Sequence, residues 1–598
     1  MCGIVGYVGR QAAAPLLLQG LSKLEYRGYD SAGMALLDHR GVAVYKEAGR
    51  LSRLTARMHG GEGFLQTVGI GHTRWATHGA PTVRNAHPHL SDDGRFAVVH
   101  NGIIENEATL RKELEQDGVV FRSDTDTELV AQLLQREMRG DVPEALKRVT
   151  ERLSGSFALG VVYTGEPDRV YAVRNKSPLV IGVGEGETWL ASDMPALLSH
   201  VGQAVPLCDG DIACLTAEGY TVYTADGVAE RTAQPTEWEP ERAERGAFRH
   251  FMLKDLYEQP EAVSATLAPL LCDCRKALPL SDEQAKALTR VVLVGCGSAY
   301  HAGMVGAQVM ERLARVTATA EIASEYRYRQ AVIDENTWVI GISQSGETAD
   351  TLAALREAKR RGAHVTAVVN VPQSTLANES ETVLFTRAGP EMAVATTKAY
   401  AAQLAVLYAV AVRLAVVRGA IDTAEERRLT AELERLPQAI REALGTDAEM
   451  HALAKSFAGA EDAYFIGRGI DYATALEGAL KMKEISYVHA EAYAAGELKH
   501  GTIALVESGT AVVALDTQSA LRDKLLANVR EVRARGARVL LLTAEGTGDN
   551  AVAVPACEEL FQASAAVVPL QFLAYYTADE RGCDIDRPRN LAKSVTVE

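Results

Sequence analysis

The sequence predicts a multidomain α/β and α+β protein, with one layered N-terminal domain followed by two tandem domains built on doubly wound parallel sheets. Three observations predict this architecture. The chain has 598 residues, which is too many for one hydrophobic core and fits about three to five domains. Short apolar runs separated by turn residues fill the region before residue 220. From about residue 285, strand, loop and helix patterns alternate.

The N-terminal region, residues 2–220, is predicted to be rich in β-structure. Runs such as GIVGYVG, FAVVHNGIIEN and FALGVVYTG are bounded by Gly, Asp and Asn, which are typical turn residues. Two helical stretches, AAAPLLLQGLSKLEYRG and TDTELVAQLLQREMRG, interrupt the strands. Helices packed on sheets give an α+β or layered domain. Residues 221–280 are predicted to form a polar linker and a connecting helix.

The C-terminal half contains an internal duplication. VVLVGCGSAYHAG and AYFIGRGIDYATALEGA each combine a strand, a Gly-x-Gly turn and a helix, and Gly467 follows Gly295 by 172 residues. AKRRGAHVTAVV and VRARGARVLLLT align at nearly the same offset. We therefore predict two related α/β domains and a C-terminal tail. Their expected bounds are 281–421, 453–588 and, for the tail, 589–598.

Composition and charge disfavour several classes of partner. The net charge of −16 argues against a surface for nucleic acid or for an anionic membrane. The eight cysteines are sparse, and Cys272 and Cys274 lack the second pair that a zinc site needs. The start shows no signal-peptide pattern, so we expect a reduced, cytoplasmic protein. The apolar stretch 399–417 contains Gln403 and Arg413, which favours a buried core helix over a membrane span.

The loop SQSGET, residues 343–348, follows a strand of the first duplicated domain and opens a helix. Free backbone N–H groups, the helix dipole and hydroxyl donors make such a loop suitable for an anion such as a phosphate. The alternative is a helix cap, in which Ser343 or Ser345 caps and Glu347 completes a capping box. The second copy has DTQSALRD at this place, so we expect the two copies to differ in function.

Cys2 raises the question of an N-terminal nucleophile. Removal of Met1 would leave a thiol and a free α-amine on one residue. An α-amine has a pKa of about 7.7–8, so it can act as the base for its own side chain near neutral pH. The alternative is a small apolar residue in the first strand, which is the more common role of a cysteine after Met1.

Three polar motifs in the same region favour the nucleophile. GHTRWATHG supplies Arg74, a cation for a carboxylate. HNGIIEN supplies Asn101 and Gly102, an amide side chain and a backbone N–H that suit an oxyanion. SDTDTE supplies carboxylates for an ammonium group. Each motif has a structural alternative, namely a surface ion pair, a hairpin turn and a helix N-cap, but together they predict a site for an amino acid.

These motifs carry a family resemblance. MCGIVGYVG, LEYRGYDSAG, GHTRWATHG, HNGIIEN and SDTDTE resemble the glutaminase domain of class II glutamine amidotransferases. With ISQSGETADT, AYAAGELKHG and NLAKSVTVE, the whole chain resembles the family of isomerizing glutamine–fructose-6-phosphate aminotransferases. The resemblance implies an N-terminal-nucleophile amidohydrolase domain of αββα layers, followed by two sugar isomerase (SIS) domains.

The resemblance also implies a reaction. Glutamine and fructose 6-phosphate would give glutamate and glucosamine 6-phosphate, the first step of hexosamine and UDP-N-acetylglucosamine synthesis. Ammonia would be channelled between a glutaminase site and an isomerase site. No metal or organic cofactor is implied.

In the glutaminase domain, the resemblance assigns roles to matching residues. Cys2 would attack the glutamine amide with its own amine as base, and Asn101 and Gly102 would hold the oxyanion. Arg74 and Asp126 would clamp the carboxylate and ammonium groups of glutamine. The other glutamine-binding positions, the first of which would also gate ammonia, are Trp75, Thr77 and His78.

In the isomerase, Glu477, Lys481 and Glu484 are spaced i, i+4 and i+7 and so share a helix face. The alternative is a solvated stripe of ion pairs. By resemblance, Glu484 would move a proton between C1 and C2 with help from Lys481. His500 would promote ring opening from a partner subunit, which implies a homodimer, and Lys593 would form a Schiff base with the sugar ketone. The sugar-phosphate-binding positions would be Ser298, Ser343, Gln344, Ser345, Thr348 and Thr396.

Three positions depart from the family pattern. Ala299 and Thr396 stand where Ser is common, and Thr502 stands where Pro is frequent. These differences bear on sugar affinity more than on reaction type. One alternative function is therefore an amidotransferase for a different sugar phosphate. A second is a non-catalytic sugar-phosphate sensor, which is disfavoured by four intact candidate residues: Cys2, Glu484, His500 and Lys593.

Overall fold

A computed structural model describes residues 2–76, 78–235, 244–547 and 550–596. The chain divides into two compact units. The first unit comprises Met1–Glu244 together with Ala592–Glu598, and the second comprises Arg245–Leu591.

The first unit contains two sheets in which all paired strands are antiparallel. Its strands are β1 (Gly3–Val8), β2 (Ser31–Asp38), β3 (Gly41–Ala48), β4 (Val68–Arg74), β5 (His89–Leu90), β6 (Phe96–Ile104), β7 (Gly155–Tyr163), β8 (Val170–Asn175), β9 (Val180–Gly184), β10 (Glu187–Ala191), β11 (Gln203–Pro206), β12 (Ile212–Thr216), β13 (Gly219–Thr224), β14 (Gly227–Ala229) and β15 (Gln234–Pro235). The larger sheet has the order β15-β11-β9-β10-β1-β4-β2-β3, and the smaller has the order β14-β13-β12-β8-β7-β6-β5. The α-helices of this unit are α1 (Ala13–Leu24), α2 (Leu51–Arg57), α3 (Glu107–Gln116), α4 (Asp126–Glu137) and α5 (Val142–Thr150).

The two sheets of the first unit lie between layers of helices. Apolar side chains of both sheets, such as Ile4, Ile70 and Val99, share one buried cluster. Phe96 and Val98, on the other face of β6, pack in a second cluster with α3, α4 and α5. On the larger sheet, α1 packs against β1 and β4. The order of layers is helix, sheet, sheet, helix, which confirms the predicted αββα fold class.

The second unit contains two five-stranded sheets in which all paired strands are parallel. Its strands are β16 (Arg290–Gly295), β17 (Thr317–Ile322), β18 (Thr337–Ser343), β19 (His364–Val369), β20 (Thr382–Phe385), β21 (Asp462–Gly467), β22 (His489–Ala494), β23 (Ala511–Asp516), β24 (Arg538–Thr543) and β25 (Ala551–Ala553). Its α-helices are α6 (Phe251–Tyr257), α7 (Gln259–Cys272), α8 (Asp282–Ala287), α9 (Ser298–Ala314), α10 (Ala323–Tyr326), α11 (Ala349–Arg360), α12 (Thr375–Glu379), α13 (Lys398–Val417), α14 (Thr423–Ala443), α15 (Asp447–Ala458), α16 (Ile470–Ser486), α17 (Arg522–Arg533) and α18 (Ala563–Glu580).

The duplication predicted from the sequence is visible in the backbone. The sheet orders β17-β16-β18-β19-β20 and β22-β21-β23-β24-β25 are the same. The glycines before α9 and α16, Gly297 and Gly469, have φ values of 54° and 58°. Both helices have 17 residues and end at a left-handed residue, Arg315 or Tyr487. We call the part built on β16–β20 the first copy and the part built on β21–β25 the second copy.

The apolar stretch at 399–417 forms most of α13, a core helix. By length and composition α13 is apolar enough to cross a membrane, but its side chains are almost all buried inside the second unit. The prediction of a buried core helix is confirmed.

Two expectations about the chain need correction. Residues 221–235 are not a linker, because they complete β13 and form β14 and β15 at the edges of the two sheets. The edge strands β14 and β15 have three and two residues and are mostly exposed, so they are too short to show the apolar alternation that marks a strand. The predicted connecting segment is also not a spacer, because Val263 and Leu267 of α7 belong to the core of the second unit.

The sequence analysis also missed helices α2, α3 and α5. They are short, and α3 buries only Leu110 and Leu114. Two buried positions give too weak a helical period to be recognised in a region dominated by strands.

Candidate active sites

The candidate nucleophile Cys2 directly precedes β1, which lies inside the larger sheet between β10 and β4. All six residues of β1 are buried, so this chain end is held rather than frayed. The Sγ atom of Cys2 accepts a hydrogen bond of 3.2 Å from the backbone N–H of Trp75, which follows β4. The thiol therefore lies where β1 begins and the antiparallel β4 ends.

Asn101 and Gly102 are neighbours in β6. The Nδ2 atom of Asn101 donates a hydrogen bond of 2.9 Å to the carbonyl oxygen of Cys2. Gly102 has a φ of 123°, and a Cβ atom at this position would lie 1.9 Å from the carbonyl oxygen of Ser156. Only glycine fits there. The structure thus brings the predicted oxyanion pair to the strand that contacts Cys2.

The electrostatic environment of Cys2 keeps its thiol protonated. Burial raises the pKa of the thiol above its ordinary value, and nearby positive charge, including that of Arg74, opposes the rise. Because a thiolate is the reactive form of cysteine, a nucleophilic role requires a base close to Sγ.

Arg74, the last residue of β4, is buried. Its guanidinium donates hydrogen bonds to the backbone carbonyl oxygens of residues 78–80, so it holds the loop that follows the strand. His78 is partly exposed on this loop. Thr77, the other predicted glutamine-binding residue here, lies outside the described residues.

The SDTDTE motif divides its carboxylates between two roles. Asp126 begins α4, is 5% exposed, and accepts a hydrogen bond of 3.0 Å from the backbone N–H of Ile104 in β6. Glu128 instead accepts hydrogen bonds from the backbone N–H and the hydroxyl of Ser123, both at 2.6 Å. Glu128 is therefore occupied within its own motif. Asp126, which contacts β6, remains the candidate carboxylate for an ammonium group.

His72 orients Asn101, a contact that the sequence analysis missed. Its Nε2 atom lies 3.1 Å from Asn101 Oδ1 and 3.0 Å from the carbonyl oxygen of His100. Both partners are acceptors, so Nε2 carries the proton, and this fixes the direction of the Asn101 amide. Burial lowers the pKa of His72 to about 3, which keeps the ring neutral. The sequence does mark this region, because five of the 14 histidines fall within residues 72–100: His72, His78, His87, His89 and His100.

In the first copy, the hydroxyls of the SQSGET loop converge. The Oγ atom of Ser343 lies 3.0 Å from Oγ1 of Thr348 and accepts a hydrogen bond of 3.0 Å from the backbone N–H of Gly346. Gln344, Ser345 and Thr348 are partly exposed. The loop thus presents two hydroxyls and an amide side chain to solvent at the end of β18.

The helix-cap alternative for this loop is wrong. Thr348 precedes α11 and makes no side-chain capping hydrogen bond. The carboxylate of Glu347 does not complete a capping box but accepts hydrogen bonds of 2.8 Å from the backbone N–H and the hydroxyl of Thr375. The residue that directly precedes the helix is therefore Thr348, whose hydroxyl does not cap it, while Ser345 Oγ accepts a hydrogen bond of 3.2 Å from the backbone N–H of Glu347 within the loop.

The predicted face on α16 of the second copy meets α9 of the first copy. Lys481 Nζ lies 2.6 Å from Glu484 Oε2 and 3.5 Å from Glu477 Oε1. Ser298, the first residue of α9, donates a hydrogen bond of 2.8 Å to Glu477 Oε1 and accepts one of 3.2 Å from Lys481. Glu477 and Lys481 are buried and Glu484 is partly buried, so the alternative of a solvated stripe is wrong.

The charges of this cluster stabilise one another. Burial alone would raise the pKa of Glu477, but Lys481 and His301 outweigh it and lower the pKa. Burial would likewise lower the pKa of Lys481, but Glu484 and Glu477 raise it. Glu477 is 0% and Lys481 1% exposed, so an ammonium ion and a carboxylate are held together away from water.

The other predicted isomerase residues belong to other parts of the chain. Thr396, just before α13, donates a hydrogen bond of 3.0 Å to Glu391 Oε2. His500 is exposed in the segment after β22. Lys593 belongs to the chain end that groups with the first unit, whereas Glu484 belongs to the second unit.

Family models match both halves of the chain. A model described as a glutamine amidotransferase domain matches residues 72–199. A model described as a SIS domain matches twice, at residues 285–413 and 456–578. The two SIS matches coincide with the two structural copies.

Curated relatives match over their whole length and that of this chain. A protein of Symbiobacterium thermophilum named glutamine–fructose-6-phosphate aminotransferase [isomerizing] is 52% identical. Proteins with the same name from Clostridium tetani and Thermus thermophilus are 46% and 47% identical.

Solved structures match the C-terminal part. The C-terminal domain of glucosamine-fructose-6-phosphate aminotransferase from Francisella tularensis is 38% identical, covers 58% of this chain and 99% of its own, and has a TM-score of 0.55. A putative phosphosugar isomerase from Silicibacter pomeroyi is 27% identical, covers 56% of this chain and 100% of its own, and has a TM-score of 0.50.

Proposed function

The chain belongs to the family of isomerizing glutamine–fructose-6-phosphate aminotransferases, and we propose that it transfers the amide nitrogen of L-glutamine to fructose 6-phosphate. The products are glutamate and glucosamine 6-phosphate. The observation that supports this most is full-length identity of 52% to a relative of that name, together with the contact between Cys2 and Asn101 at 2.9 Å.

The glutaminase half-reaction begins once Met1 is removed. The α-amine of Cys2 takes the thiol proton, and Sγ attacks the side-chain carbonyl carbon of glutamine. Asn101 Nδ2 and the Gly102 N–H donate to the oxyanion. Collapse releases ammonia and leaves a thioester, which water hydrolyses to glutamate and free thiol.

Glutamine is oriented by groups around the thiol. The Arg74 guanidinium pairs with the α-carboxylate and the Asp126 carboxylate pairs with the α-ammonium group. Thr77 and His78 complete this pocket. Both charged ends of the amino acid are thereby matched by an opposite charge in a buried site, which selects L-glutamine over amides that lack them.

The isomerase half-reaction uses both SIS copies. In the first copy, the phosphate of fructose 6-phosphate binds Ser343, Gln344, Ser345 and Thr348 at the N-terminus of α11, with Ser298 and Thr396 completing the sugar site. The partly exposed hydroxyl of Thr348 supports this assignment, because it makes no capping hydrogen bond to the helix.

Covalent chemistry follows at the sugar carbonyl. Lys593 condenses with the C2 ketone and releases water, and ammonia then displaces the lysine amine to give a C2 imine. Glu484 removes a proton from C1 and returns one to C2, with Lys481 stabilising the negative charge that develops on the C1 oxygen. The product is the 2-amino aldose phosphate.

The two half-reactions require that ammonia reach the sugar without loss to water. We assign Trp75 as the gate, because its backbone contacts Sγ of Cys2 and its ring packs edge-to-face on Tyr29 at 5.7 Å. We also assign a homodimer, in which His500 of a second copy of the chain promotes ring opening. The exposure of His500 supports this. A cytoplasmic location stays a prediction.

The first test measures glutamate and glucosamine 6-phosphate together, with the purified full chain, L-glutamine and fructose 6-phosphate. We expect one amino sugar per glutamate. The variant Cys2→Ala should lose glutamate release by at least about 1,000-fold, whereas Cys208→Ala, which removes an exposed cysteine of the same unit, should behave like the wild type. Glutamate without amino sugar would contradict fructose 6-phosphate as the acceptor.

The dimer is tested by mixing two inactive variants. His500→Ala and Glu484→Gln chains are each expected to lose amino sugar formation. If His500 acts across the subunit interface, mixed dimers contain one site with both residues intact and regain part of the activity. Absence of any recovery after subunit exchange would contradict the shared site.

A further inference from the structure

His301 of α9 also contacts the cluster on α16, and it has no role in the proposed reaction. The Nδ1 atom of His301 lies 2.8 Å from Oε2 of Glu477. Glu477 is 0% exposed and His301 is 8% exposed. The other carboxylate oxygen, Oε1, accepts the hydroxyl hydrogen of Ser298 at 2.8 Å. Two side chains of the first copy therefore hold both oxygens of a buried carboxylate in the second copy.

His301 acts as a donor in this contact. Glu477 faces Lys481 and stays ionised, so it can only accept hydrogen bonds. The Nδ1 atom of His301 must then carry a proton. A buried carboxylate oxygen without a donor would be costly, and an alternative donor is the Lys481 ammonium group, 3.5 Å from Oε1.

The position of Lys481 depends on this arrangement. Its Nζ atom is 2.6 Å from Glu484 and 3.5 Å from Glu477, so its shortest ion pair is with the proposed base. If Oε2 of Glu477 lost the imidazole donor, Glu477 would attract the ammonium group more strongly. Lys481 would then move away from Glu484.

We propose that His301 is a positioning residue of the isomerase site: by holding Glu477, it keeps Lys481 against Glu484. This inference rests on the proposed isomerase function and adds a specific residue to it. His301 does not touch the reacting carbons in this account. It acts from the first copy on the acid–base pair of the second, through Glu477.

The charged and titratable groups that face this site come from several elements. Lys481 and Glu484 lie on α16 beside Glu477. Glu391, in the loop before α13, interacts electrostatically with Lys481, and Tyr400 of α13 interacts with Glu477. Among these groups Lys481 is the cation, and its position between the carboxylates decides which of them it pairs with most closely.

The decisive variants are His301→Leu and His301→Asn. Leucine fills the buried space but has no donor. In asparagine the Nδ2 atom occupies nearly the position of the histidine Nδ1, so the hydrogen bond to Glu477 is kept. We expect His301→Leu to lower kcat for amino sugar formation by at least about tenfold, since a hydrogen bond to a charged group is lost. The KM for fructose 6-phosphate should change by less than about twofold, and His301→Asn should retain most of the activity.

The comparison of the two variants separates positioning from packing. A role in packing alone would be disturbed by both replacements, whereas a role in holding Glu477 should be lost in His301→Leu and kept in His301→Asn. A matched control is His451→Leu, which removes an exposed histidine 3.7 Å from Glu580 in the same unit. It should leave kcat and KM unchanged.

The outcomes are distinct. Unchanged kcat in His301→Leu would overturn the inference, as would equal losses of kcat in the leucine and asparagine variants. Glutamate release from glutamine alone should be unchanged in all variants, because Cys2 lies in the other unit. If the wild type releases glutamate but makes no amino sugar, the proposed function is refuted. This result is obtained before any His301 variant is compared.

Discussion

The two SIS copies share a backbone but contribute different chemistry. The α9 and α16 helices begin after glycines with nearly equal φ values and have equal lengths. In α16 the inward face has Glu477, Lys481 and Glu484. The positions 172 residues earlier in α9 are Val305, Val309 and Arg312. The acid–base cluster is therefore present in the second copy alone.

The loops that follow the central strands β18 and β23 also differ between the two copies. In the first copy, the SQSGET loop exposes hydroxyls. In the second, the backbone N–H of Thr517 donates a hydrogen bond of 2.8 Å to Asp471, and the Thr517 hydroxyl donates to the same carboxylate. Asp471 is 2% exposed, and its counterpart in the first copy is Ala299.

The comparison teaches how a duplicated fold can build one composite site. In the second copy, an internal carboxylate supplies the negative charge that such a loop accepts, so an outside anion has no place there. In the first copy, Ala299 supplies no such carboxylate. One copy thus contains the proposed anion site, the other contains the proposed base, and α9 packs against α16.

The largest expected effect comes from removing the base of the second copy. Glu484→Gln should lower kcat for amino sugar formation by about 1,000-fold, since general acid–base catalysis contributes about 100- to 10,000-fold. Glutamate release should persist. Steady-state assays of both products test this. Lys483→Met, at an exposed position of the same helix, is the control, and an equal loss in that variant would contradict a specific role for Glu484.

A smaller effect is expected from Asp471, and it depends on pH. Burial raises the pKa of this carboxyl to about 6, above the value of about 3.9 in an unfolded chain. The folded state then binds more protons between these values, so this group makes the free energy of unfolding fall as pH rises from about 4 to 6. Asn at this position keeps an acceptor and a donor for Thr517 but has no charge.

Asp471→Asn should therefore gain stability relative to the wild type as pH rises. The gain is near zero at about pH 4 and about 2–3 kcal/mol at pH 7. Thermal unfolding of both proteins across this pH range measures it. Asp523→Asn, at an exposed position of the second copy, should show no such trend. A difference for Asp471→Asn that is independent of pH would refute the explanation.

The smallest effect is expected in the open loop of the first copy. Ser345→Ala removes one of several donors to the proposed phosphate, so the KM for fructose 6-phosphate should rise about tenfold with little change in kcat. Ser519→Ala, in the corresponding region of the second copy, should leave both constants unchanged. If the two variants gave equal increases in KM, the functional difference between the loops would be disproved.

Local patterns in the sequence predicted much of this molecule. The strand–loop–helix succession predicted both parallel sheets, and the spacing of Glu477, Lys481 and Glu484 predicted their shared face. The edge strands at 227–229 and 234–235 were missed because strands of two or three residues are too short to show an apolar alternation. The pairs His72–Asn101 and His301–Glu477 were missed for another reason, since tertiary packing alone brings their side chains together.

The position of β1 has a consequence for how the chain is made. Ile4 hydrogen-bonds to Ser192, 188 residues later, and β1 pairs with β10 on one side and β4 on the other. The ribosome therefore releases Cys2 first and the neighbouring strand β10 much later. Contacts so distant in sequence form slowly, and domains fold as units during synthesis. The nascent chain accordingly carries an unassembled thiol until both strands that flank β1 have been made.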